Sequence, residues 1–311
     1  MSLAFVFPGQ GSQSIGMLKG LAEQHSQVKS TFAEASTVVG YDLWQVVQAG
    51  PEARLNSTEV TQPAMLAAGV ATWRVWQALN GKQPTMLAGH SLGEYTALVC
   101  AGSLSFTDAI KLVAARGQYM QDAVPAGVGA MAAILGLDDA VVIDVCNQAA
   151  QHQIVQAVNF NSPGQVVIAG HKEAVERATV LAKDKGAKRA VLLPVSVPSH
   201  CQLMQPAAKR LAVDLTTIKV TSPKLVVINN VDVASPTEPA QICEALVRQL
   251  YQPVRWAEII QSMARQGINQ LVECGPGKVL AGLNKRIEKD MLALAIYDPD
   301  SITAALQSVQ H

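Results

Sequence analysis

Apolar positions along this chain follow two rhythms. Unbroken apolar runs at residues 3–7 and 86–88 each stop at a glycine-bearing turn, as strands buried on both faces of a parallel sheet do. Between such runs, apolar side chains recur three and four positions apart, the spacing that gathers them on one face of a helix. Read in order, the pattern predicts a strand at 3–7, helices at 28–39, 43–47 and 63–79, and a strand at 85–88. A helix from Tyr95 closed by Gly102 comes next, then a helix at 106–121 with Ile110, Val113 and Ala114 on one side.

After Pro125 the texture changes. Strands are predicted at 130–135, 154–159, 166–169 and 190–193, helices at 138–151 and 172–185, and a turn at Asn161-Ser162-Pro163-Gly164. This β-α-β-β-α-β order is the split βαβ, ferredoxin-like unit. The chain is therefore expected to be α/β, with a large domain made of 1–124 and 196–311 and a small ferredoxin-like domain, 125–195, inserted into it. The large domain resumes with a strand at 225–229, helices at 239–250 and 256–266, a strand at 270–272 and a helix at 278–287. Beyond Asp298 only a short peripheral tail is expected.

Between the predicted strand at 85–88 and its helix stands Gly89-His90-Ser91-Leu92-Gly93. The pattern G-x-S-x-G at a strand-to-helix turn is a nucleophile elbow: flanking glycines let two backbones crowd together while the serine is strained and exposed. It makes the large domain α/β-hydrolase-like, with a parallel sheet. A Gly-Ser turn between two core elements would read the same over these five residues. Serine needs a positioned base. His25, His152, His171 and His311 read as solvated surface residues, and His90, beside the serine at a tight turn, as packing or bracing it. His200 follows Pro198 where the chain returns to the sheet end, which makes it either the base or a satisfied core histidine. No Asp or Glu stands in a loop suited to orient it, which leaves a backbone carbonyl. The Leu92 amide and the backbone of Gln10 are the candidate oxyanion donors. Gln10 lies in Pro8-Gly9-Gln10-Gly11-Ser12-Gln13, which lacks the third glycine and the following acid of a dinucleotide loop.

Composition narrows the choice. Formal net charge is zero over 311 residues, so no global field gathers nucleic acid or an anionic membrane. The five cysteines are scattered with no C-x-x-C pair, which fits neither a disulfide framework nor a zinc site and suits a reducing compartment. The first apolar run meets a Pro-Gly turn at once and reads as a strand, not a signal peptide. No apolar run reaches membrane-spanning length. The expected location is the cytoplasm.

Phe7-Pro8-Gly9-Gln10-Gly11-Ser12-Gln13, Gly89-His90-Ser91-Leu92-Gly93-Glu94, Arg116-Gly117 and Pro198-Ser199-His200 together resemble the acyltransferase family. The likeness continues through Val247-Arg248-Gln249-Leu250-Tyr251 and Gly275-Pro276-Gly277-Lys278. It implies a malonyl-CoA donor, an acyl carrier protein acceptor, a place in fatty acid synthesis and no cofactor. Ser91 would be acylated, His200 would be base and then acid, and Gln10 and Leu92 would supply oxyanion amides. The Gln249 carbonyl would hold the other His200 nitrogen. Arg116, otherwise readable as a solvated residue or a partner of the helix's negative end, would grip the malonyl carboxylate, which a planar guanidinium matches in two bonds. Glu94 would cap or brace the elbow. Gln252 departs from the family's usual asparagine, with only a loop adjustment expected. Because carrier proteins are acidic, Lys188-Arg189 and Lys285-Arg286 are candidate docking residues. A serine thioesterase or esterase, and a non-catalytic CoA- or carrier-binding subunit, are the alternatives.

Overall fold

The computed structural model describes residues 2–195 and 197–309. Ser196, where the expected return to the large domain falls, and His311 lie outside them. Among the described residues the strands are β1 (Ser2–Phe7), β2 (Met86–Gly89), β3 (Gly129–Leu135), β4 (Val155–Ser162), β5 (Gln165–His171), β6 (Arg189–Leu192), β7 (Val226–Ile228), β8 (Ile268–Cys274) and β9 (Leu292–Ile296). They form a parallel sheet ordered β7-β2-β1-β8-β9 and an antiparallel sheet ordered β4-β5-β3-β6.

Both faces of the parallel sheet are covered, and β1 shows how. Leu3, Phe5 and Phe7 point to one side, into a core with helices Thr58–Ala78 and Phe106–Ala123, where the Phe5 ring meets Trp73 and Trp76 edge-on at 5.4 and 5.1 Å. Ala4 and Val6 point to the other, against Trp256, Ile259 and Ile260 of helix Trp256–Arg265 and Leu280 and Leu283 of helix Val279–Ile287. The antiparallel sheet repeats the alternation. Ala132 and Ile134 of β3 face helices Asp139–Ala150 and Lys172–Asp184, while Met131 turns away, towards Cys201 of the large domain. That second face closes over the sheet end of the large domain. The two are also stitched by backbone: Val254 N–H donates to the Val158 carbonyl at 2.8 Å, and Phe160 N–H to that of Val254 at 2.9 Å.

The chain departs from its sequence pattern in several places. The helix expected to open at Pro63 starts at Thr58 and contains the proline. Its surroundings bury it on nearly every side, which outweighs the one backbone bond a proline removes. β4 runs on to Ser162, and the expected four-residue turn contracts to Pro163-Gly164, with Gly164 at φ 71. Helix Gln205–Leu215 was not anticipated. The tail is not peripheral: β9 adds the last strand of the sheet, and helix Pro299–Val309 buries Ile302, Ala305 and Val309 in the main core.

Candidate active site

β1 and β2 run side by side with Phe7 opposite Gly89, so the loop after one and the turn after the other rise together from the sheet's carboxyl end. Two glycines allow the crowding. A Cβ on Gly89 would lie 1.8 Å from the Gly93 carbonyl carbon, and one on Gly93 would lie 2.0 Å from the Phe7 oxygen. Ser91, between them, has φ 52, a left-handed conformation costly for a residue with a Cβ. It is held by Asn230, whose Oδ1 accepts from Ser91 N–H at 2.7 Å while its Nδ2 donates to the Gly89 carbonyl at 2.7 Å.

His200 comes from the segment after the small domain and is also left-handed, at φ 65. Its own N–H donates to the Leu250 carbonyl at 3.0 Å. Nδ1 lies 2.6 Å from the Gln249 carbonyl oxygen, which can only accept, so Nδ1 carries the ring proton. Nε2 is then free to accept, and the Ser91 hydroxyl is 2.7 Å away. His200 is 3% exposed. Burial, followed by the Arg116 guanidinium and His90, brings its pKa down to about 3 against the pull of the Gln249 carbonyl. The imidazole is therefore neutral at physiological pH, as a base must be.

Arg116 lies on the buried stripe of its helix, between Val113 and Met120, and is only 1% exposed. Nη1 donates to Gln62 Oε1 at 2.8 Å and Nη2 to Gln249 Oε1 at 3.1 Å, and Nη2 reaches within 3.5 Å of Ser91 Oγ. Its Cζ sits 5.4 Å from the Tyr95 ring centre. No carboxylate pairs with it among the described residues, and its Nε has no partner. A buried cation held by neutral amides beside a serine hydroxyl is suited to hold an anion.

Ser91, Leu92, Gln10, Arg116 and His200 share one cavity of about 120 Å³, and Met131, Asn159, Leu193 and Val195 close it from the small-domain side. Gln249 stands behind them, fully buried. Glu94 braces the elbow from below: its Oε2 accepts from Asn230 N–H at 2.9 Å and Gln249 Nε2 at 2.8 Å, and burial raises its pKa to about 7. His90 braces it from the side, donating from Nε2 to Asn161 Oδ1 at 2.8 Å with its ring tilted on Trp256. His25 and His152 line nothing here. His171, expected to be solvated, instead accepts the Ile154 N–H at 2.9 Å and ties two strand ends together. Gln252 accepts from Arg248 Nη1 at 3.4 Å, outside the cavity.

Lys188, Arg189, Lys285 and Arg286 are exposed and outside the cavity, and one residue of each pair comes near the same turn. Arg286 Nη1 donates to Gln165 Oε1 at 2.9 Å. The Lys188 side chain lies against Gly136, whose N–H donates to the Gly164 carbonyl at 2.8 Å. Lys188 and Arg286 thus lie on either side of contacts to the Pro163-Gly164 turn.

Residues 4–295 match the acyl transferase domain family. The chain belongs to that family. This acyl transferase is 59% identical over 304 residues to the malonyl CoA-acyl carrier protein transacylase of Escherichia coli strain K12, covering 98% of each chain. It superposes with a TM-score of 0.96 on an acyl carrier protein S-malonyltransferase from Vibrio cholerae, 61% identical, covering 98% of this chain and 99% of that one. A malonyl-transacylase solved in complex with a type II PKS acyl-carrier protein matches with a TM-score of 0.98 and 57% identity, covering 99% and 100%. In this acyl transferase, sequence reasoning missed Gln62, Asn230 and Asn161. Gln62 carried a signal, a polar residue directly before the uncharged, largely apolar run at 63–71 of its helix; Asn230 and Asn161 carried none.

Proposed function

We propose that this protein transfers the malonyl group of malonyl-CoA to the phosphopantetheine thiol of an acyl carrier protein through a malonyl ester on Ser91. The reading rests on one observation: a buried guanidinium with no carboxylate partner stands 3.5 Å from a serine hydroxyl that is itself 2.7 Å from a neutral imidazole. Ser91 Oγ attacks the thioester carbonyl as His200 Nε2 takes its proton. The amides of Gln10 and Leu92 receive the oxyanion, and the Gln249 carbonyl holds the imidazolium that forms. As the tetrahedral centre collapses, the carbon–sulfur bond breaks and His200 returns the proton to the CoA sulfur. The carrier's thiol then gives its proton to His200 and attacks the ester, and Ser91 leaves with that proton. Throughout, Arg116 holds the malonyl carboxylate with both Nη groups. That grip and the closure of the small domain, residues 125–195, favour a thiol acceptor over water. The chemistry uses no cofactor, malonyl-CoA being a substrate, and belongs to fatty acid synthesis in the cytoplasm. No helix among the described residues is long and apolar enough to cross a membrane.

The carrier docks on Lys188, Arg189, Lys285 and Arg286. β6 begins at Arg189 and leads into Leu193 and Val195 at the cavity, so a partner held there by its acidic face sends its arm along that strand. Reversing these charges should raise KM for carrier protein several-fold and leave KM for malonyl-CoA unchanged; equal effects on both would refute docking. The transfer itself is tested by following CoA release, malonyl-carrier formation and free malonate in one reaction. Malonyl-carrier should account for the CoA released. Free malonate in its place would make the protein a thioesterase, and no CoA release a binding subunit.

A further inference from the structure

We infer that Glu94 is a positioning residue for the carboxylate clamp: it fixes which way the Gln249 amide faces, and through that amide holds Arg116 over the cavity. The inference rests on the malonyl-transfer reading of the same site. Glu94 and Arg116 are both buried and form no ion pair with each other. The Gln249 side chain stands between them. Its Nε2 donates to the Ser91 carbonyl at 3.0 Å and to Glu94 Oε2 at 2.8 Å, an oxygen that also accepts from Asn230 N–H. Its Oε1 is thereby turned to Arg116 Nη2, which only donates, at 3.1 Å. An amide has nearly the same shape either way round, so its neighbours' polarity decides its orientation. Reversed, it would set NH₂ against guanidinium N–H and oxygen against the carboxylate and the Ser91 carbonyl. When Glu94 is ionised the reversal is costlier still, since a charge-assisted hydrogen bond is about twice as strong as a neutral one. Arg116 Nη1 is held separately by Gln62, at 2.8 Å. Loss of the Gln249 anchor therefore leaves the guanidinium in the pocket but free to swing about its other contact.

Glu94 also accepts from Asn230 N–H, and Asn230 holds the elbow. A residue that merely braced the elbow would matter equally for every acyl donor. The two roles separate when Ser91 loading is measured with malonyl-CoA and with acetyl-CoA, which has no carboxylate for Arg116. For Glu94→Gln, which keeps the shape, we expect malonyl-over-acetyl selectivity to fall about tenfold or more, mainly through KM for malonyl-CoA, with acetyl loading losing much less than malonyl loading. Gln249→Leu, whose backbone carbonyl still serves His200, should lower selectivity similarly, and adding Glu94→Gln to it should lower it no further. Equal losses with both donors, unchanged selectivity, or additive losses in the double variant would each overturn the inference. Glu94→Asp, whose shorter side chain retracts the carboxylate from Nε2, provides a second test: restored selectivity at that position would also count against it. Failure of the malonyl-transfer reading is separate and visible at once, as wild-type protein that does not load malonyl at all.

Discussion

Replacing Arg116 by alanine removes the feature that separates this site from a generic serine esterase. The guanidinium presents two Nη groups, anchored on Gln62 and Gln249, and a malonyl carboxylate would accept from both. Hydrogen bonds to charged groups contribute about 1.5–3 kcal/mol each, so the pair is worth roughly 3–6 kcal/mol. At about 1.4 kcal/mol per tenfold, kcat/KM for malonyl-CoA should fall by roughly 10²- to 10⁴-fold. Acetyl-CoA has no carboxylate to lose, and the buried charge only penalises its methyl group, so its turnover should hold or rise. The variant leaves Gln62 and Gln249 without their donor, and some thermal stability will go with it. Acetyl loading of Ser91 in the same preparation reports whether the Ser91–His200 pair survives. The assay is kcat/KM for both donors at fixed carrier concentration. Arg116→Ala that kept its preference for malonyl over acetyl would refute the clamp.

His200 yields a pH prediction with a definite sign. Its folded pKa, about 3, is below the ordinary 6.5, so between those values the unfolded chain binds a proton that the folded chain does not. The stability it contributes is complete above pH 6.5 and drains away as pH falls towards 3, and the loss in denaturant midpoint from pH 7 to pH 5 should shrink in His200→Asn. Over pH 5–8, kcat/KM should show no acid limb from His200, and a limb near 6.5 that vanished in His200→Asn would contradict the neutral, buried base. At the far end of the chain, Ile302→Ala should cost about 2–5 kcal/mol in chemical denaturation, because that side chain is 2% exposed in the main core. A loss within about 0.5 kcal/mol, the range of ordinary surface substitutions, would restore the peripheral reading of the tail.

Most of the candidate site was legible because its geometry depends on backbone. Gly89 and Gly93 are glycines because nothing larger fits between β1 and the elbow, and Pro198 marks the segment that delivers His200. The ferredoxin-like order was legible because its strands and helices alternate within one stretch of chain. Arg116 shows a signal present but easily misread. Ala109, Val113, Arg116 and Met120 share a three-and-four spacing, so the arginine stands in the apolar stripe, yet charge invites a solvated reading. The tail is similar: Ile302, Ala305 and Val309 repeat at helical spacing behind Pro299. Asn230 and Asn161 were beyond reach, since each works through a partner from a remote part of the chain, 139 and 71 residues away.

The central claim is that the Ser91 hydroxyl carries the acyl group. Peptide mapping by tandem mass spectrometry after a brief exposure to malonyl-CoA tests it most directly. The account predicts a malonyl adduct on Ser91, discharged by holo carrier protein and absent from Ser91→Ala. An adduct on another residue, or undiminished transfer by Ser91→Ala, would contradict it.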